Sequence, residues 1–331
     1  MIAFGGTDDI RVTARSHAAR GDWGAVRSLL AGATLAGYEP ELVLLGAEAE
    51  LRLGAPRTAA ERLRDAFAVL ARSGDGASLR RACNLLGAAA FELGDLTESH
   101  AAFSRALELA NADGDHLLVA RATNNLGAIA NLRGDRSAAL AHFHLAIPAY
   151  QQLGHAVGLA ECCHNIAIAY RDDRRIEEAD EYERRAIEYA RESGSQMVGA
   201  MARAGRAELS LLRGDPRMAE LGALMAASEY RRLADPIGEA DALRLAGEAR
   251  TAFGAFDRAL VALDQAVALA SAHGAALIRA EALRARAEAA FGHGDRIVAV
   301  ADARAARDAF EQLGAADEVA RSNDLLARLT L

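Results

Sequence analysis

The stretch NNLGAIANLRGD, from Asn124 to Asp135, has a counterpart forty residues earlier, CNLLGAAAFELGD, from Cys83 to Asp95. Both stretches join a run of small and apolar residues to a Gly-Asp ending. Similarity that recurs at a fixed spacing of this size is typical of repeat architectures. The question is whether the two asparagines form a site or belong to a structural part that is used many times.

The forty-residue period extends along most of the chain. One glycine series comprises Gly54, Gly94, Gly134, Gly214, Gly254 and Gly294, with Arg at position 174. A second comprises Gly74, Gly114, Gly154, Gly194, Gly274 and Gly314, with Ala at position 234. Alanine occupies Ala66, Ala106, Ala146, Ala186, Ala226, Ala266 and Ala306. Because glycine ends helices in the left-handed conformation without a steric penalty, two glycine series per period predict two helices per unit.

Capping residues mark where these helices begin. Asp215-Pro216 and Asp235-Pro236 each combine an Asp cap with proline in the first turn, which is a strong start signal. In the third full unit we expect helix A from about Asp115 to Arg133 and helix B from about Ser137 to Gly154. Pro148 lies inside this helix B, where it predicts a kink or a short 3₁₀ turn.

The period divides the chain into about eight units and a capping helix. The first unit, about 7–39, has its inner turn at RGDW, Arg20 to Trp23. The others begin near residues 40, 76, 116, 156, 196, 236 and 276. We expect a disordered tail over 1–6, a repeat array over 7–315, and a polar helix over 316–331 that covers the end of the stack.

The small residues have a packing role. Gly127, Ala139 and Ala146 lie where helix A is expected to cross helix B and where B meets the next A, and larger side chains would separate the axes. We expect the gaps around them to be filled by Leu126, Ile129, Phe143 and Leu145. The pattern resembles the tetratricopeptide repeat, in a forty-residue variety similar to sensor arrays of bacterial regulators. The resemblance implies an all-α fold, a right-handed superhelical solenoid of antiparallel helix hairpins.

Composition excludes several classes of function. The net charge of −8 argues against direct nucleic-acid binding, which needs a basic face, although all 38 basic residues are Arg. The apolar runs are too short for a membrane span, and the N-terminus does not read as a signal peptide. The three cysteines suggest reduced thiols in the cytoplasm rather than a disulfide framework. We find no phosphate loop, nucleophile elbow or His-Glu-x-x-His motif, and so expect no enzyme activity, cofactor or metal site.

The resemblance implies that the A helices line a concave groove where ligands bind. Groove positions and their neighbours in the first half are Arg81, Asn84, Arg121, Asn124, Asn125, Asn131, His164, Asn165 and Arg171. A secondary acidic row comprises Glu208, Glu248 and Glu288. In this interpretation Asn124 is exposed, its amide suits a peptide backbone, and the arginines favour carboxylates. The groove would then be polar and basic in its first half and acidic in its second.

Three functions are consistent with such an array. The leading interpretation is a non-catalytic cytoplasmic scaffold that binds a protein segment or peptide in an open groove. The alternative is a sensor domain of a larger bacterial transcription regulator, which would bind a small-molecule or protein inducer in a closed pocket. An enzyme on a helical-repeat frame is the third, and a closed polar pocket with a perturbed acid or histidine would favour it. The sequence names neither the partner nor the oligomeric state.

Overall fold

The computed structural model describes residues 6–31, 39–72 and 74–330, and these residues form seventeen α-helices. The helices are α1 Gly6–Ala19, α2 Trp23–Ala31, α3 Pro40–Arg52, α4 Pro56–Arg72, α5 Gly76–Leu93, α6 Leu96–Asp113, α7 His116–Leu132, α8 Arg136–Gln152, α9 Ala156–Asp172, α10 Ile176–Ser193, α11 Gln196–Leu212, α12 Pro216–Arg232, α13 Pro236–Ala252, α14 Phe256–Ala272, α15 Ala276–His293, α16 Arg296–Leu313 and α17 Ala316–Thr330. The expectation of an all-α solenoid of helix hairpins is confirmed. Residues 1–5, where we expected most of a disordered tail, lie outside the described residues.

Helix starts follow a twenty-residue rhythm from α5 onward, at 76, 96, 116 and so on to 316. Side-chain caps explain many of these starts. The carboxylates of Asp75, Asp95, Asp135, Asp215, Asp235 and Asp295 each accept a hydrogen bond from a backbone N–H of the first turn. Such a bond satisfies one of the donors that a helix start leaves unpaired. Local chemistry therefore specifies these six helix starts.

The two positions that interrupt the glycine series adopt the same turn conformation as the glycines. Arg174 has φ 60° and Ala234 has φ 56°, both in the left-handed region. The glycines at the equivalent turns have similar angles, for example 85° at Gly134 and 81° at Gly214. Since an L side chain is strained in this region, these two turns are held by the helices on either side of them.

The small residues pack as the sequence predicts. Gly127 lies against the ring of Phe143, and a Cβ at 127 would come within 2.6 Å of that ring. Ala139 and Ala146 are fully buried in the same hairpin. Leu126, Ile129 and Phe143 fill the surrounding core as expected. Leu145 does not: it is 69% exposed, because Phe143 and Ala146 face inward and the residue before Ala146 points outward on a helix.

At the junction between one hairpin and the next, the large residue alternates between the two helices. Tyr150, in the last turn of α8, packs on Gly158 of α9, and Tyr230 of α12 packs on Gly238 of α13 in the same way. In the intervening hairpin the bulk is reversed, since Ala190 packs against Val198. The volume at each crossing stays similar although the residues change, which is what close packing requires.

Pro148 does not interrupt α8. The helix is continuous from Arg136 to Gln152, with no 3₁₀ segment at the proline. Pro148 is exposed, so water can bond the carbonyl that lacks a proline N–H. The expected 3₁₀ turn is therefore wrong.

The contacts divide the chain into two compact units, unit 1 at residues 1–115 and unit 2 at residues 116–331. In unit 1 the hairpins pack through a core that includes Leu44, Leu63 and Leu86. In unit 2 each A helix, from α7 through α15, contacts both its own B helix and the next A helix. The A helices of unit 2 therefore line its inner face.

Unit 2 also closes on itself. The turn between α7 and α8 contacts the far end of the array, where Arg136 donates to Asp317 of α17 at 2.6 Å. Leu132, just before this turn, packs on a core cluster that includes Phe310. Asp317 also lies beside Gly134, so there is little room for a side chain at that turn. Five hairpins and α17 thus bring the first and last parts of unit 2 into contact.

Candidate functional site

The inner face of unit 2 begins with two asparagines. Asn165 of α9 donates from Nδ2 to Oδ1 of Asn124 on α7, at 3.2 Å. Asn124 is only 4% exposed, so the expectation of an exposed side chain is wrong. The residue lies at an A-helix position facing the next A helix, and the contact between the two helices buries it. Its amide oxygen already accepts a hydrogen bond within the protein.

His164 and Glu183 form a buried pair one hairpin further along. Nδ1 of His164 lies 2.9 Å from Oε1 of Glu183, and the two residues are 8% and 2% exposed. Burial opposes the charged imidazole, but the attraction and hydrogen bond of Glu183 outweigh it and raise the pKa of His164. Burial also raises the pKa of Glu183. The pair therefore holds a proton more firmly than either side chain would in water.

Glu183 was missed by the sequence analysis, although a signal was present. Phe103, Phe143 and Glu183 occupy the same position in three successive repeats. Gly205 of α11 makes room for its carboxylate, and a Cβ there would overlap it. The signal was a charged residue in a column whose other members, such as Leu63, Phe103, Phe143 and Leu263, are apolar core residues.

Further along the inner face, three arginines lie among six carboxylates. We call this set the inner charge cluster; its members are Arg171, Asp172, Glu208, Asp241, Arg244, Glu248, Glu281, Arg284 and Glu318. Arg171 pairs with Asp172 at 2.9 Å and also with Glu208 of α11. Asn131 of α7 donates to Asp172 at 3.0 Å, which ties the first A helix to the cluster. Burial raises the pKa of Glu208 despite the opposing charge of Arg171.

Arg244 is at the centre of the cluster. It is buried and pairs with Asp241 at 2.7 Å, with Glu248 at 2.8 Å and with Glu281 of α15 at 3.5 Å. Burial raises the pKa of Glu281 to about 8, with Asp241 and Glu318 adding to the shift and Arg244 opposing it. Arg284 pairs with Glu318 of α17 at 3.1 Å. Carboxylates outnumber arginines here, so the cluster accommodates an added proton readily.

Each member of the predicted acidic row has an arginine partner in unit 2. Glu208 pairs with Arg171, Glu248 with Arg244, and Glu288 with Arg328 at 3.2 Å. Packed helices lie about 10 Å apart, a distance that an arginine and a carboxylate can bridge between them. The acidic row is therefore a row of partners for arginines.

The remaining predicted site residues are less enclosed. Arg121 of α7 is exposed, with Nη2 3.5 Å from Nε2 of His155, and Asn125 is half-buried. In unit 1, Arg81 of α5 pairs with Glu48 of α3. Asn84 is half-buried, and its Oδ1 accepts no hydrogen bond from the residues that the structure describes. Arg81 and Asn84 belong to unit 1, and Arg121 belongs to unit 2.

The chain's own repeats match a known family. The sequence profile of the family described as tetratricopeptide repeat matches residues 77–152 and 119–192. Residues 77–192 therefore carry tetratricopeptide repeats. No curated protein matches its sequence.

Solved structures extend the similarity of the repeat protein beyond the matched segment. A Rap protein in complex with competence and sporulation factor covers 98% of this chain and 96% of its own, with 13% identity and a TM-score of 0.66. The match to the apo form of RapI covers 74% of this chain and 97% of the RapI chain, with 14% identity and a TM-score of 0.52. A signal-transduction ATPase with a tetratricopeptide-repeat sensor, from Pyrococcus horikoshii, covers 88% of this chain and 43% of its own, with 16% identity and a TM-score of 0.58. At these identities the similarity is one of fold.

Unit 1 of the repeat protein has a cleft of its own. It has a volume of about 380 Å³ and is lined by Arg11, Glu39, Pro40, Glu41, Leu44, Asp75, Ala77, Ser78 and Arg81. Within the lining, Arg11 pairs with Glu39 at 3.7 Å. Glu41 and Arg81 pair with residues outside it, Arg15 and Glu48. The lining thus has charges of both signs, two arginines and three carboxylates.

Other chemistry finds little support within residues 6–31, 39–72 and 74–330. No group of three His, Cys, Asp or Glu residues in those segments could hold a metal ion. Cys83, Cys162 and Cys163 are buried, and burial raises the pKa of the Cys83 and Cys163 thiols to about 11. Thiols of this kind are poor nucleophiles at neutral pH. Across the same segments, no helix combines the length and apolarity that crossing a membrane requires.

Proposed function

We propose that this repeat protein is a non-catalytic scaffold that binds a peptide or protein segment on the inner face of unit 2. The observation that carries the proposal is the free-energy cost of burying the charges of the inner charge cluster. Burying ion pairs contributes little stability, and apolar side chains usually stabilise a protein more. Ala204 of α11 occupies the same repeat position as His164 and Arg244, so a helix in this position does not need a polar side chain. The charges therefore suggest recognition rather than folding.

The chemistry of the face suits a peptide. Arginines and carboxylates come from successive A helices, about 10 Å apart, and an extended peptide places every third side chain at about that spacing. Donors and acceptors of both kinds are present for its backbone. Asn131 Oδ1 is buried and accepts no hydrogen bond from the described residues, which leaves an acceptor for a ligand N–H.

The solved structures support the same class of function. The Rap protein that matches nearly end to end was solved with competence and sporulation factor bound. We infer that this chain likewise takes a peptide or protein partner. Entry would require the contact between Arg136 and Asp317 to open, because it joins the two ends of unit 2. Ligand binding and opening of unit 2 would then be coupled.

A second candidate is a sensor for a small-molecule inducer. Closure of unit 2 favours it, since a small ligand needs a pocket rather than a long groove. The similarity to the sensor-bearing signal-transduction ATPase, of which the chain spans 43%, points in the same direction. In this reading the inner charge cluster would bind a compact ligand with charges of both signs.

A peptide-display selection separates these functions. Peptides selected on the wild-type protein would be measured against Arg121→Glu, which changes an exposed side chain at the rim of the inner face. We expect affinity to fall more than tenfold, about 1.4 kcal/mol. Arg191→Glu on α10, also exposed, is the matched control and should bind as wild type does. Failure to select any peptide would exclude the peptide function, and equal binding by all three proteins would exclude the part of the inner face around Arg121 as the site. Stabilisation by a charged small molecule would then favour the sensor.

A further inference from the structure

The outer face of α12 carries an apolar stripe. Met218, Leu221 and Met225 are 55%, 54% and 58% exposed, and their spacing of three and four residues aligns them on one side of the helix. Leu224 lies beside them and is also exposed. This is the spacing by which one helix packs against another. Among the described residues of the chain, nothing covers this stripe.

The repeat does not require an apolar stripe at these positions. The equivalent residues are Glu98, Ala101 and Arg105 in α6, Ala138, Ala141 and Leu145 in α8, Glu178, Glu181 and Arg185 in α10, and Arg258, Val261 and Gln265 in α14. Each of those faces contains at most one large apolar side chain. The stripe on α12 is thus specific to this helix, and contiguous exposed apolar surface of this kind marks interaction sites.

Positive charge lies at both ends of the stripe. Arg217 is exposed in the first turn of α12, with its guanidinium 5.2 Å from the centre of the Phe253 ring. Arg232 is exposed at the last residue of the helix and has no partner among the described residues. The two are fifteen positions apart, about 22 Å along a helix. The acidic residues of α12 are engaged elsewhere: Glu220 with Arg250 and Arg258, and Glu229 with Arg203.

We propose that the outer face of α12 is a docking surface for an amphipathic helix of a partner protein, with apolar residues along one side and an acidic residue near each end. The apolar stripe would supply the burial, and Arg217 and Arg232 would fix the register by pairing with carboxylates about four turns apart. The surface lies on an outer helix and is separate from the inner charge cluster. The proposal therefore goes beyond binding on the inner face.

The same charges argue against two other occupants. If a second copy of the chain paired α12 with α12, parallel packing would place Arg217 against Arg217, and antiparallel packing would place it against Arg232. Both arrangements bring like charges together at the ends of the stripe. A membrane surface is also disfavoured, because an apolar stripe of about two turns buries little area and the chain has a net charge of −8.

The test uses two synthetic helical peptides of about 18 residues with the same apolar stripe. One peptide has Glu near each end and the other has Lys. We expect the protein to bind the Glu peptide at least tenfold more tightly in about 50 mM salt, with the preference shrinking in about 300 mM salt. Leu221→Glu should abolish binding. Val261→Glu, at the equivalent and similarly exposed position of α14, is the matched control and should leave it unchanged.

Methionine oxidation locates the bound peptide. With the Glu peptide present, Met218 and Met225 should be protected from peroxide, while Met197 and Met201 of α11 should oxidise as before. Equal affinity for the two peptides, or full binding by Leu221→Glu, overturns the proposal. So does a dimer of the protein that Leu221→Glu dissociates, or binding to phosphatidylcholine–phosphatidylserine vesicles in preference to either peptide. Circular dichroism of each variant checks that its fold is intact.

Discussion

The hairpins α7–α8 and α9–α10 share a register but differ in what they bury. Both begin on the twenty-residue rhythm, at His116 and at Ala156. At one core position α8 has Phe143, packed against Gly127, and α10 has Glu183, paired with His164. The first hairpin thus fills its core with an aromatic ring, and the second fills the same place with a carboxylate and an imidazole.

This difference distinguishes buried residues that stabilise the fold from buried residues that the fold only accommodates. An aromatic ring at this position gains stability from burial, whereas an ion pair loses about as much by desolvation as it gains by attraction. Hairpin α9–α10 therefore gives up stability at the place where its A helix faces the inner charge cluster. In a repeat protein, neighbouring units are internal controls. A unit that breaks the pattern of its neighbours at a core position is a good candidate for a functional one.

The largest expected effect comes from breaking the buried pair. His164→Ala leaves Glu183 buried without its partner, which should cost about 3–5 kcal/mol of unfolding free energy. Asn124→Ala at the equivalent position of α7 is the control and should cost about 1 kcal/mol, since it loses one neutral hydrogen bond. Urea unfolding followed by circular dichroism measures both. Similar losses in the two variants would mean that the pair is no special feature of α9–α10.

Replacing the buried pair with the residues of the first hairpin tests the same comparison from the other side. The triple variant His164→Asn, Ala167→Gly, Glu183→Phe copies Asn124, Gly127 and Phe143 into the second hairpin. It should be at least as stable as the wild type, because well-packed apolar residues often replace a buried ion pair without loss. If the proposed function is right, the variant should also lose affinity for inner-face ligands.

The next effect concerns the junctions that follow the two hairpins. Tyr150 packs on Gly158 after α8, whereas Ala190 packs on Val198 after α10. Gly158→Val should cost about 3 kcal/mol, because the new side chain overlaps the Tyr150 ring. Adding Tyr150→Ala copies the Ala190–Val198 pair and should recover about 2 kcal/mol. The Tyr150 hydroxyl has no partner among the described residues, so removing it breaks no hydrogen bond there. Additive losses in the double variant would mean that the two residues do not share one space.

A smaller effect should appear as a dependence of stability on pH. The pKa of His164 is raised in the folded protein, so its contribution is fully present below its unfolded value and is lost as pH rises through the folded one. The raised pKa of Glu183 acts in the same direction. Nearby Arg171, Glu208 and Asp241 also affect the pair but are kept in the triple variant.

Relative to the triple variant, the wild type should therefore lose stability as pH rises from about 6.5, near the unfolded value for histidine. The difference is at most about 1.4 kcal/mol per pH unit for one proton. Unfolding free energies of both proteins between pH 6 and 9 measure it. Parallel pH profiles for the two proteins would show that the pair does not titrate on its own.

The sequence predicts the frame of unit 2 well, because that frame depends on local chemistry. Asp caps and turn residues set the helix starts, and small residues mark the crossings, as at Gly127 and Ala146. The inner face is predicted less well. Asn124 and His164 lie at the expected register positions but are buried, since their burial depends on how far successive A helices close on one another. That distance is a property of the array and not of one repeat.

The partners of the predicted site residues were harder to obtain. Glu183 shares no local pattern with His164, from which it is separated by nineteen residues. Its signal was present only in the column of equivalent positions, as a carboxylate after Phe103 and Phe143. The contact of Arg136 with Asp317 spans 181 residues and follows from the closure of unit 2, which no single repeat encodes.

The smallest expected effect concerns the turn inside each hairpin, where α7–α8 has Gly134 and α9–α10 has Arg174. Both residues are left-handed, with φ 85° and 60°. A non-glycine residue destabilises the folded protein by about 1 kcal/mol in this conformation. Glycine removes this strain, but its greater conformational freedom in the unfolded chain offsets part of the gain. Arg174 is exposed, so its side chain contributes little by burial. Arg174→Gly should therefore stabilise the protein by about 0.5–1 kcal/mol, raising the thermal midpoint by a degree or two.

The matched control is Gly214→Ala, at the turn between α11 and α12. Gly214 has φ 81° and no atom within 4 Å of the position its Cβ would occupy, so the substitution changes backbone strain alone. It should destabilise by about 1 kcal/mol. Gly134 is less suitable, because Asp317 lies 3.3 Å from the place of its Cβ. If Arg174→Gly lowers stability while Gly214→Ala also lowers it, the Arg174 side chain supports its turn in a way that backbone geometry does not explain. Arg174 would then be, like Glu183, a residue with a specific role in α9–α10, and not merely an unfavourable residue at a glycine position.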